Sequence, residues 1–259
     1  MKPITELHNK HKGKEIWIAG SDPSLENYPY DFFNDKIGIT LHLAYIKFPN
    51  ATYHYFNERD RFVFLKEKYP EIVNKTNIFG YPFYNRSKKV ADEAIGKARD
   101  NSYYLDLKPY PPHGNSGSIF NDSGPNAMRA MVSDAVKGER MDYGGHGTCL
   151  HPCSYVAVMM GAKTINIIGC NFKNIEGKEH FGVTNKIDHD MRPTTPSFTG
   201  YRGTRMTRGL MGITAGCMDN NIKVNWIEKY DTKTKQLVYR DSYTKPNKLP
   251  KKVSGFTPL

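Results

Sequence analysis

Apolar positions fall in short blocks separated by polar and small residues. "EIWIA" (15–19) is an almost unbroken apolar run closed by Gly20. "KIGITLHLAYI" (36–46) holds a second, extended through Thr40. "ATYHYFNERD" (51–60) alternates and is rich in aromatics. Such runs predict strands, and those without alternation predict strands covered on both faces. "RFVFLKEKYP" (61–70) fits a short helix that stops before Pro70. "EIVNKTNIFG" (71–80) carries a further short strand, and "NSYYLDL" (101–107) another.

Between 81 and 125 the pattern is irregular, with many Tyr, Pro, Asn, Gly and Ser residues. A stretch of that length predicts an inserted loop that packs as a lid or binding surface. Order returns in "GTCLHPCSYVAVMMGAKTINIIG" (147–169), a helix over about 150–160 capped by Gly161, then an apolar central strand. Residues 173–203 form a second long loop region. "TRMTRGLMGITAGCMDNN" (204–221) reads as a helix, "IKVNWIEKY" (222–230) as a strand, and "YDTKTKQLVYRDSY" (230–243) as a hairpin. The tail from about 245 is expected to be loosely held. Strands alternating with helices predict an open, mostly parallel, Rossmann-like α/β sheet with helices on both faces and long active-site loops. The 259 residues suit one such domain.

Charge narrows the partners. Lys and Arg number 37 against 26 Asp and Glu, a balance of +11. That surface favours anions. The basic residues are scattered rather than gathered in an arm, so an anionic small molecule is preferred to nucleic acid. Cys149, Cys153, Cys170 and Cys217 lack the spacing of a zinc knuckle and read as reduced thiols in or near the core. No leader and no long apolar run is visible, which predicts a cytoplasmic chain without a membrane span.

Four stretches carry candidate chemistry. Gly20, Ser21, Asp22, Pro23 and Ser24 leave the first long strand where an open α/β sheet binds its ligands. Backbone N–H groups and the Ser21 and Ser24 hydroxyls could face a phosphate there. The plain alternative is a capped turn, with Asp22 or Ser24 as the cap. Neither a P-loop nor a dinucleotide fingerprint is completed. Gly145, His146, Gly147 and Thr148 precede the central helix and form a second candidate phosphate or base contact. Asn171 follows the central strand, within reach of a ribose or base. Beyond it lie His180, Asp188, His189 and Asp190. A histidine among carboxylates suits a general base, and the aspartates suit Mg²⁺ or Mn²⁺ beside a diphosphate. Last, Tyr201, Arg202 and Arg205 open a helix, where arginines can clamp a phosphoryl group. Solvated surface charge is the alternative.

"IWIAGSDPSL" (16–25) resembles the Gly-x-Gly-Pro-Ser-Leu nucleotide-binding turn of Campylobacter-type bacterial sialyltransferases. "GTCLHPCSYVAVMMGAKTINIIGCNF" (147–172) resembles their central helix–strand unit, which ends in Gly-x-Asp-Phe. Both blocks also resemble the MptE-like family, which includes 6-hydroxymethylpterin diphosphokinases, and "GKEHFG" (177–182) fits that family better. The turn here has Ser21-Asp22 before Pro-Ser, and Asn171 stands where both families carry an acidic residue.

The sialyltransferase resemblance implies a nucleotide-sugar donor, a hydroxyl-bearing acceptor, His189 or His180 as base, Tyr201 or Arg202 on the leaving phosphate, and no tightly bound cofactor. The MptE-like resemblance implies Mg²⁺-dependent diphosphate transfer, with Asp22, Asp188 and Asp190 as the carboxylates to test. A third reading is a non-catalytic basic protein that binds nucleic acid or a partner through its Tyr-rich loops.

Overall fold

The computed structural model describes residues 1–80, 88–105, 125–139, 148–170 and 201–240; for 88–91, 125–127 and 201–208 the description is of helical backbone alone. Among these described residues nine strands form one sheet in the order β1-β6-β5-β4-β3-β2-β7-β8-β9. They are β1 (Lys2–Pro3), β2 (Glu15–Ala19), β3 (Ile37–Leu41), β4 (Tyr53–Phe56), β5 (Asn77–Phe79), β6 (Ser102–Tyr104), β7 (Thr164–Ile168), β8 (Lys223–Asp231) and β9 (Gln236–Tyr239). All neighbours are parallel except β9, which pairs antiparallel with β8 as the expected hairpin.

The central strands are buried on both faces, which is why their sequences lack alternation. In β2, Ile16 and Ile18 join the core on one face, while Trp17 and Ala19 join the core on the other. Among the described residues five α-helices cover the sheet: α1 (Arg59–Lys68), α2 (Lys88–Ile95), α3 (Pro125–Val136), α4 (Leu150–Met159) and α5 (Tyr201–Asp219). α3, α4 and α5 pack on the Ile16/Ile18 face. The opposite face is covered by two regions. Phe62 and Leu65 of α1 pack beyond β3 with the 3-10 turns His42–Ile46 and Pro70–Asn74. Aromatics from 28 to 48 pack under β2. Every residue of α4 is buried, as expected of a helix apolar all round and wedged between a sheet and two other helices. Its termination at Gly161 agrees with the sequence.

Two differences from the sequence reading stand out. Helix α2 lies inside the stretch read as irregular, and the N-terminal residues supply an edge strand beside β6. Helix α2 has only eight residues and follows a run of turn-forming residues, so its length does not announce it. Residues 106–124 and the tail beyond 240 lie outside the described residues. Among the described residues no helix is long and apolar enough to cross a membrane.

Candidate functional site at the carboxyl edge of the sheet

The strand order reverses between β2 and β7. From β2 the chain builds outward through β3, β4, β5 and β6; it then returns to β7 on the other side of β2 and builds outward through β8. The chain leaves β2 and β7 toward opposite faces of the sheet, and the position between those two exits is where open α/β sheets usually have their ligand crevice. The turns after these two strands are the two sequence blocks singled out above.

Backbone bonds join the turns. Gly20 N–H donates to Ile168 O (2.9 Å) and Asp22 N–H to Gly169 O (3.0 Å). A Cβ on Gly20 would lie 2.2 Å from Gly169 O and 2.3 Å from the Cys170 sulfur. The missing side chain at position 20 thus makes room for the neighbouring turn. Asp22 is buried, and its Oδ1 accepts the Ser24 N–H (2.9 Å) at the start of the 3-10 turn Pro23–Asn27. Of the two readings of this loop, the capped turn is what the Asp22 carboxylate and Gly20 form. Beside it lies Tyr28, almost fully buried, whose hydroxyl has no hydrogen-bond partner among the described residues. Burial, with Cys170 and Asp22 nearby, drives that hydroxyl well above its ordinary pKa and keeps it neutral.

A second group of side chains stands on the same edge, past β3 and β4. His42 follows β3 directly and has a left-handed backbone (φ +47°), a conformation that costs free energy in a residue with a Cβ and is frequent at functional positions. Asn57 and Glu58 follow β4. Cys149 is the N-cap residue of α4. His42 Nε2 lies 2.7 Å from Cys149 Sγ. Asn57 Nδ2–H donates to the same sulfur (3.4 Å), and its Oδ1 accepts the Tyr55 hydroxyl (2.5 Å), which fixes the way the amide faces. Gly80, past β5, leaves the space Asn57 fills: a Cβ there would lie 2.1 Å from Asn57 Oδ1. Glu58 pairs with the buried Arg61 (3.5 Å).

One donor atom each from His42, Glu58 and Cys149 lies within 4.8 Å of the others, so this cluster is capable of coordinating a metal ion. Burial pushes the Cys149 thiol up to about 12, with Asn57 and Arg61 drawing it back. Cys170 stands near enough to disfavour ionisation of Cys149, which sets the cluster beside the β2/β7 crevice.

Among the sequence candidates, Gly20, Ser21, Asp22 and Ser24 lie at the crevice. Thr148 adjoins Cys149, and its Oγ1 accepts the Leu150 N–H (3.3 Å) at the start of α4. Tyr201, Arg202 and Arg205 fall in the first turns of α5, where the backbone alone is described. Gly145, His146, Gly147, Asn171, His180, Asp188, His189 and Asp190 lie outside the described residues. His42, Asn57 and Glu58 were not singled out by motif. Their signal is positional: each stands immediately past the carboxyl end of a strand.

The fold and this partly buried cluster are consistent with a nucleotide-binding enzyme. Compared with protein-family models, curated proteins and solved structures, the chain has no match in any of the three.

Proposed function

We propose that this protein is a nucleotide-dependent transferase whose donor lies across the β2/β7 crevice and reaches toward His42 and Asn57. The observation that carries the reading is the meeting of two sequence blocks about 150 residues apart. "GSDPS" and "IIGC" hydrogen-bond to each other at the reversal point of the sheet, where ligands bind in this architecture. The unpartnered Tyr28 hydroxyl beside them supports a polar occupant, since buried polar groups are rarely left unsatisfied. The +11 balance supports an anionic one.

Within this reading we favour the glycosyltransferase chemistry implied by the resemblance to sialyltransferases. The acceptor hydroxyl oxygen attacks the anomeric carbon, and the carbon–oxygen bond to the nucleotide phosphate breaks. The nucleotide leaves with the bonding electrons, and His189 takes the hydroxyl proton. Tyr201 and Arg202 are the donors assigned to the departing phosphate, where positioned hydrogen bonds act most strongly. The diphosphokinase reading would instead turn Asp22, whose Oδ1 caps the turn, together with Asp188 and Asp190 toward Mg²⁺.

The test is a thermal-shift screen against CMP, CDP, UDP, GDP, AMP and ATP, each with and without Mg²⁺. Ligands that bind the native state raise its apparent stability. The reading expects a shift with a sugar-carrier nucleotide, little changed by Mg²⁺. A shift with ATP and Mg²⁺ alone would transfer the assignment to the diphosphokinase. No nucleotide shift, together with salt-sensitive oligonucleotide binding, would make this a non-catalytic binding protein.

A further inference from the structure

The His42, Glu58 and Cys149 group has two chemical readings. In a nucleophilic relay the imidazole sits between thiol and carboxylate. Two hydrogen bonds and the width of the ring then hold sulfur and oxygen roughly 7 Å apart. Here the donor atoms of all three residues lie within 4.8 Å of one another. They converge on one point instead of forming a chain. Convergence is the geometry of metal ligands: around a tetrahedral zinc ion, neighbouring donor atoms stand roughly 3.3–3.8 Å apart, so His42 Nε2 and Cys149 Sγ, now 2.7 Å apart, would part by about 1 Å to admit the ion.

We propose that His42, Glu58 and Cys149 form a binding site for a thiophilic divalent cation, zinc before others. The donor set decides the class of ion. A thiolate and an imidazole with one carboxylate suit zinc, whereas magnesium and calcium prefer oxygen ligands throughout.

The surroundings fit the same assignment. Metal ligands are ordinarily held by outer hydrogen bonds, and both flanking ligands have them. Asn57 donates to the Cys149 sulfur while anchored by Tyr55. The Arg61 guanidinium holds Glu58. The Glu58 side chain is 32% exposed, so the cluster opens to solvent on one side. Three protein ligands with an open fourth position are the arrangement of reactive rather than structural zinc sites. A phosphate oxygen of a bound donor would complete the shell; this last step rests on the nucleotide reading, whereas the metal site does not.

The test uses the full chain stripped with chelator and titrated with Co²⁺ alone, no nucleotide present. The expected result is one equivalent bound, with a thiolate-to-cobalt charge-transfer band and intense visible bands of four-coordinate cobalt, displaced by Zn²⁺. The C149S variant should lose the charge-transfer band. H42Q and E58Q should each weaken Zn²⁺ binding about tenfold or more. Should C149S fold poorly, wild-type protein gives a second readout: one equivalent of Zn²⁺ should protect Cys149 from alkylation, mapped by mass spectrometry. Cobalt bound without a charge-transfer band, or Cys149 alkylated equally fast with Zn²⁺, would overturn the site. Metal binding without any nucleotide shift would leave the site standing and remove the transferase reading.

Discussion

The turn after β2 and the turns after β3 and β4 occupy the same edge of one sheet and are used in opposite ways. The first, Gly20–Ser24, has the composition of a ligand loop, yet its glycine and carboxylate are spent on the protein itself. Gly20 admits the β7 turn, and Asp22 caps the next turn. The second region looks unremarkable in sequence, a histidine after "ITL" and Asn-Glu after "YHYF". It nevertheless holds a thiol, an imidazole and a carboxylate within 4.8 Å. One region locks β2 to β7, and the other gathers side chains capable of coordinating a metal ion. A small-residue loop is thus not in itself a ligand contact; what matters is which atoms fill the space its glycines leave.

The contrast is open to direct attack. The largest effect should come from Gly20→Ala, whose methyl group would meet Gly169 O at 2.2 Å. Overpacking against backbone should cost about 3 kcal/mol and lower the melting temperature by roughly 6–12 °C, read by calorimetry. A change within about 1 °C would mean the two turns are not locked together.

The core beneath the second region should reveal itself in acid. His54 in β4 is fully buried, its Nδ1 bonded to Thr40 Oγ1 (2.7 Å), and burial lowers its pKa to about 3. The folded value lies below the unfolded one, so the unfolded chain binds the extra proton between them. Stability should fall as pH drops from about 6.5 toward 3, by up to about 1.4 kcal/mol per pH unit from this residue. His54→Asn should flatten that limb in urea titrations between pH 6.5 and 4. An unchanged slope would show that His54 is protonated in the folded state.

His42 should behave in the reverse sense to Gly20. Asparagine tolerates the left-handed backbone found there, so His42→Asn should change stability by less than about 1 kcal/mol while weakening metal binding. A large loss of stability would make His42 a packing residue. The smallest effect is expected far from both regions. Arg129 bonds Asp219 through Nη2 (2.7 Å), joining α3 to α5 on an exposed surface. Arg129→Ala should leave the melting temperature unresolved from wild type, because solvent and salt screen such pairs.

Much of the fold was legible because buried parallel strands print as apolar runs: "EIWIA" and "TINII" are adjacent inner strands of the sheet. The two-residue β1 and the amphipathic α2 were not, since each depends on neighbours that fold against it. The crevice was legible through its turns. The cluster beside it was not, because His42, Asn57, Glu58 and Cys149 come from three places in the chain, and only the strand order brings them together. A search of the two residues just past each strand would have recovered three of the four. Cys149 was read as a core thiol, and its enclosed sulfur explains why.

The central claim is that the occupant of this edge is a nucleotide reaching the β3/β4 side. It is tested most directly by calorimetric titration of the nucleotide giving the largest thermal shift, against wild-type protein and Asn57→Ala. Melting curves would verify that the variant is folded. The account predicts at least about tenfold weaker binding in the variant, the loss of one or more hydrogen bonds in a buried site. Equal affinity in a folded Asn57→Ala protein would contradict it.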